Sequence, residues 1–91
     1  MSKVRVHIYV TGKVQGVFFR QNTKRQAQYC GVCGWVSNLS DGRVEAVFEG
    51  ETVAVKEVVD YCRHGPSFAK VEHVEVFFED YTGNFLDFCV K

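Results

Sequence analysis

The chain has no net charge: eleven Lys and Arg offset eleven Asp and Glu over 91 residues. That balance removes the global field that would draw the protein to nucleic acid or to an anionic membrane, so any anion-binding site must be local. No apolar run comes near the roughly 20 residues of a membrane span, and no apolar stretch at the N-terminus precedes a small-residue cleavage site. A soluble, cytoplasmic chain with no membrane partner is expected. Internal repeats, low-complexity tracts and linkers are also missing, and the length supports one thin core. A single domain over residues 1–91 is the expectation.

Other absences exclude particular chemistries. No arginine lies six positions after Cys30, Cys33, Cys62 or Cys89, as a cysteine-dependent phosphatase loop would require. The stretch from Gly12 to Arg20 lacks the terminal Gly-Lys-Ser/Thr of a nucleotide P-loop. His7, His64 and His73 are scattered, with no nucleophile implied beside them, and none is a candidate base. Lys and Arg do not cluster with aromatics in the central strands, which argues against RNA binding. The chain is too apolar and strand-rich to need a disulfide framework, so reduced thiols are expected. Cys30 and Cys62 fall on apolar helical stripes and read as small core hydrophobes, with a disulfide or metal role left open.

What is present alternates in two periods. Val4, Val6, Ile8 and Val10 interleave with Arg5, His7, Tyr9 and Thr11, the pattern of a half-buried strand. Phe19, Thr23, Ala27 and Cys30 then recur at helical spacing, and Gly31 ends that helix. Trp35–Leu39 and Arg43–Glu49 read as strands around the turn residues Ser40-Asp41-Gly42. From Glu51 a second helix is expected, with acidic residues favouring its start, an apolar stripe of Val55, Val58, Val59 and Cys62, and a stop at Gly65-Pro66. Val71, Val74, Val76 and Phe78 mark a fourth strand whose phase slips around Glu72 and His73, consistent with a bulge. Phe85–Val90 reads as a short fifth strand with Leu86, Phe88 and Val90 on one face. Right-handed crossovers then give an α+β, ferredoxin-like α/β sandwich: a mainly antiparallel sheet with two helices on one face.

The stretch Gly12-Lys13-Val14-Gln15-Gly16-Val17-Phe18-Phe19-Arg20 joins the first strand to the first helix. Its glycines let the backbone turn tightly and approach a ligand, so that N–H groups can converge at a helix N-terminus. Arg20 adds a planar fork of donors suited to phosphate or carboxylate. The topology places the ends of the first two strands at one edge of the sheet, which brings Asn38 near this cradle. A neutral carboxamide can hold water by its carbonyl oxygen while its NH₂ faces an anion. The competing reading is an asparagine that merely opens the hairpin turn.

These residues carry a resemblance. Val10-x-Gly12-x-Val14-Gln15-Gly16-Val17-x-Phe19-Arg20, followed by Gly34-Trp35-Val36-x-Asn38, Gly42, Val44 and Gly50, is similar to the two signatures of the common small acylphosphatases. The resemblance spans nearly the whole chain. It implies the same ferredoxin-like fold and hydrolysis of the carboxyl–phosphate anhydride of acyl phosphates, with inorganic phosphate as product, no cofactor, no metal and no phosphoenzyme. It further implies Arg20 and Asn38 as catalytic residues, and a phosphate cradle of backbone amides from Gln15, Gly16, Val17, Phe18, Phe19 and Arg20. Gly12 and Thr23 are supporting positions, Thr23 as a hydroxyl that braces the loop. Departures from the family pattern at Phe18, Asn22 and Ser37 bear on substrate preference and rate. A monomer is expected. The alternative from another class is a noncatalytic acyl-phosphate or carbamoyl-phosphate binding module of the same fold.

Overall fold

The computed structural model describes residues 2–91. Five strands and two helices follow in the order β1 (Lys3–Lys13), α1 (Phe19–Cys30), β2 (Cys33–Asn38), β3 (Val44–Glu51), α2 (Thr52–His64), β4 (Lys70–Glu79) and β5 (Phe88–Val90). The sheet order is β4-β1-β3-β2-β5. All pairings are antiparallel except β2 with β5. This is the mainly antiparallel ferredoxin-like α+β sandwich anticipated from the two periodicities.

The helix-facing side chains of the sheet form the core. Val6, Ile8 and Val10 of β1, Val36 of β2 and Val44, Ala46 and Phe48 of β3 meet Phe19 and Ala27 of α1 and Val55, Val58 and Cys62 of α2. Both helices end as expected, with Gly31 and Gly65 at positive φ donating N–H groups to the last-turn carbonyls. The start of α2 differs from expectation. Glu51 is its N-cap residue and still belongs to β3, the first turn holds no acidic side chain, and only the basic end, Arg63 and His64, matches the helix dipole. Cys62 is fully buried, with burial pushing its thiol up to about 12. Cys30 is only half-buried at the end of the α1 stripe, with Sγ 3.6 Å from a Glu57 carboxylate oxygen.

The phase slip in β4 is a bulge. Thr11 pairs with His73 but Gly12 pairs with Val71, so Glu72 has no partner on β1. Gly12 sits where this irregularity brings the strands close: a Cβ there would overlap the Lys70 carbonyl oxygen. The fifth strand is shorter than its alternation suggested. Pairing begins only at Phe88, and Leu86, expected on the inner face, is fully exposed. Asp87 interrupts the pattern, because its carbonyl accepts the Gly34 N–H and its side chain accepts the Phe88 N–H.

The other face of the sheet is polar and aromatic, and it buries a charge. Glu49 on β3 is 3% exposed, yet its carboxylate accepts from Arg5 Nη1, the Thr82 N–H and hydroxyl, and the Gly83 N–H. Burial pushes this carboxyl up, but the Thr82, Arg5 and Gly83 donors outweigh it and hold it below the usual carboxylate range. A folded-state value below the unfolded one contributes stability that is complete above the unfolded value and is lost as pH falls through the folded one. Thermal midpoints should therefore drop between about pH 5 and pH 2. Glu49→Gln should lower stability at pH 7 by about 1–3 kcal/mol and flatten that slope. Equal slopes for the two proteins would refute the assignment.

Candidate active site

The register brings the two halves of the expected site together. Val44 pairs with Val10 on one side and with Asn38 on the other, so Asn38 lies level with the end of β1, two strands across. After β1 the chain turns back through residues 14–18 to start α1. Gly16 takes φ 74° and Phe18, the N-cap residue of α1, takes φ 65°. An open pocket of about 520 Å³ is bordered by Gly16, Phe18, Phe19 and Arg20 from the loop and helix start, by Asn38 from β2 and by Val90 from β5. A Cβ added at Gly16 would meet no atom within 4 Å, so its position faces open space.

Three features make this pocket receptive to an anion. The N-cap of α1 makes no side-chain hydrogen bond and its first turn carries no acidic residue, so among the described residues no cap or first-turn side chain satisfies the helix's leading N–H groups or offsets its positive dipole end. Arg20 is the one ionisable side chain on the pocket wall. Its Nη1 donates to the carbonyl oxygen of Lys91 at 2.9 Å, which fixes the plane of the guanidinium while leaving further donors on the fork. Lastly, Asn38 Oδ1 is buried without a hydrogen-bond partner. Such an acceptor costs about 1–3 kcal/mol, and a turn of the carboxamide toward the pocket would let a donor there relieve it.

Not every expected site residue borders the pocket. Val17 buries its side chain in the core away from the pocket, and Phe19, though it borders the pocket, is also a core residue, so the loop is anchored on both sides of the outward-turned Phe18. Gln15 sends its side chain away from the cavity, with Nε2 donating to the carbonyls of Leu39 at 2.7 Å and Arg43 at 2.9 Å. It ties the glycine loop to the β2–β3 turn that begins directly after Asn38. Gly12 belongs to the strand crossing with β4. Thr23 does not brace the loop: it is fully buried and its hydroxyl lies 3.9 Å from Cys62 Sγ, in the interface between the helices. Asn22, in contrast, does hold the loop, donating from Nδ2 to the Phe18 carbonyl at 2.9 Å. Val90 and Lys91 were not signalled by the sequence, since nothing local marks a C-terminal residue as the partner of an arginine 71 positions earlier.

Comparison with known proteins points in one direction. The acylphosphatase family model matches residues 6–90. An acylphosphatase of Syntrophus aciditrophicus is 60% identical over 86 residues, 94% of this chain and 90% of that one. Among solved structures, an acylphosphatase from Coxiella burnetii superposes with a TM-score of 0.93 at 36% identity, covering 98% of this chain and 93% of that one. The crystal structure of acylphosphatase from Bacillus subtilis gives 0.93 at 33% identity, covering 97% and 98%.

Proposed function

The chain belongs to the acylphosphatase family and is an enzyme of that activity, and we propose that it cleaves acyl phosphates by direct attack of water on phosphorus, with Arg20 and Asn38 contacting the reacting groups. The phosphoryl group sits at the N-terminus of α1, where backbone N–H groups of residues 15–20 and the Arg20 fork neutralise its equatorial oxygens. Asn38, its carboxamide turned toward the pocket, accepts a hydrogen bond from the attacking water at Oδ1 and so aims the water's lone pair at phosphorus. The P–O bond to the acyl group breaks as the new P–O bond forms, the carboxylate leaves with the bonding pair, and the water proton passes to a phosphate oxygen.

The observation that carries this reading is an Asn38 carboxamide oxygen unpaired among the described residues, on a residue lining the same pocket as Arg20. Phosphoryl transfer of this kind depends on positioning and charge stabilisation more than on covalent chemistry. A carboxylate is a good leaving group, so the step calls on no general base, metal or cofactor. Four free cysteines suit a reducing compartment, and we place the protein in the cytoplasm as a single-domain monomer.

Benzoyl phosphate hydrolysis in ¹⁸O-water tests the step. The enzyme should turn over benzoyl phosphate at an undiminished rate after dialysis against EDTA, with the label in inorganic phosphate. Label in benzoate would mean attack at the carbonyl and would overturn the assignment of the water to Asn38.

A further inference from the structure

We infer that Phe18 selects the acyl half of the substrate, favouring acyl phosphates with a large apolar acyl group, such as an aryl group, over acetyl or carbamoyl phosphate. The inference rests on the acyl-phosphate reading above. Among the described residues Phe18 is the one non-glycine residue at positive φ, 65°. The left-handed region is disfavoured for an L-residue with a bulky side chain, and such positions ordinarily hold Gly or Asn. Burial can compensate for an unfavourable backbone, but here it does not, because the Phe18 side chain is 69% exposed. Nothing inside the protein recovers the cost of placing phenylalanine there.

The position is nevertheless held firmly. Val17 and Phe19 on either side are core residues, which forces the intervening side chain outward. The Phe18 carbonyl accepts both the Asn22 side-chain amide at 2.9 Å and the Asn22 backbone N–H at 3.1 Å. The ring, carried on this fixed backbone, forms an apolar wall of the pocket that also holds Arg20 and Asn38. With the phosphoryl group at the helix N-terminus, the acyl group occupies the space between it and solvent, which Phe18 borders, and Val14 and Val90 extend the apolar lining. Strain of this kind, kept at a site and unrewarded by packing, marks a position whose partner is the ligand. A phenyl group laid against the ring hides on the order of 50 Å² of apolar surface, an effect of about tenfold.

The test is the ratio of kcat/KM for benzoyl phosphate to kcat/KM for acetyl phosphate. Wild type should favour benzoyl phosphate, and Phe18→Gly, which suits the backbone conformation without strain, should lower the ratio about tenfold. Phe18→Asn accepts the same backbone with a polar side chain and should lower it similarly. A ratio unchanged in both variants, whatever happens to the individual rates, would overturn the inference while leaving the hydrolytic reading intact. Failure of wild type to hydrolyse either compound would sink that reading, and this inference with it.

Discussion

Asn38→Ala is expected to lower kcat for benzoyl phosphate by roughly 10²–10³ or more, while inorganic phosphate still binds with close to wild-type affinity. The reasoning starts from the wall of the pocket. On the proposed mechanism phosphate binding draws on the α1 N-terminus and Arg20, and alanine at position 38 leaves both in place. What disappears, on that mechanism, is the acceptor proposed to orient the attacking water. A further consequence separates catalysis from folding. Because Asn38 Oδ1 is buried and unpaired in the protein itself, its removal should not lower the thermal midpoint, and a small rise is expected. Steady-state kinetics, phosphate titration calorimetry and thermal melts on one preparation measure all three. A variant that loses phosphate affinity in proportion to rate would make Asn38 a binding residue and remove the water from its charge.

The parts of this site that could be read from the sequence are those set by local backbone chemistry. Gly16 requires a positive φ, the switch from period two to helical spacing marks where α1 begins, and the hairpin fixes Asn38 at the end of β2. The bulge near Glu72 was legible for the same reason, since a bulge shifts side-chain phase within one strand. The parts that escaped depend on pairs far apart in the chain. Gln15 carries a motif position, yet its side chain meets carbonyls 24 and 28 residues away and acts by holding the cradle against the β2–β3 turn. Thr23 has helical spacing from Arg20, but its hydroxyl points to α2, because the stripe it occupies faces the core. Leu86 continues an apparent alternation whose strand does not extend that far, a matter decided by where β2 offers partners.

Asn22 illustrates how a departure from a family pattern acquires a physical role only in three dimensions. Its side chain closes one helical turn onto the Phe18 carbonyl, which stabilises the conformation that turns Phe18 outward. Bulk at position 18 and an amide at position 22 are therefore one device. Arg43 is similar: its carbonyl accepts from Gln15, while its guanidinium pairs with Asp41 and lies over the Tyr9 ring at 5.0 Å, so the turn beside the site is tied both to the glycine loop and to β1.

Arg20→Lys should lose both affinity and rate, with inorganic phosphate binding weakened about 10- to 100-fold and kcat/KM for benzoyl phosphate reduced roughly 10²–10³-fold. The charge survives this substitution, so a large loss would identify the planar fork as the functional element. In the protein one arm of the guanidinium already donates to the main-chain oxygen of Lys91, and the residue lines the pocket with its other donors still available. A lysine ammonium has three donors on one flexible point and cannot hold the Lys91 carbonyl and present a flat pair to a phosphoryl group together. The folding contribution should be small, since β5 keeps its ladder with β2 and the Lys91 N–H still donates to the Val36 carbonyl at 2.8 Å. Arg20→Ala, assayed with added guanidinium at concentrations too low to unfold it, supplies the control: partial rescue that methylammonium does not reproduce is expected if geometry rather than charge is what Arg20 provides. Wild-type affinity and rate in the lysine variant would mean that a positive charge alone suffices at position 20 and would overturn the role assigned to the planar fork.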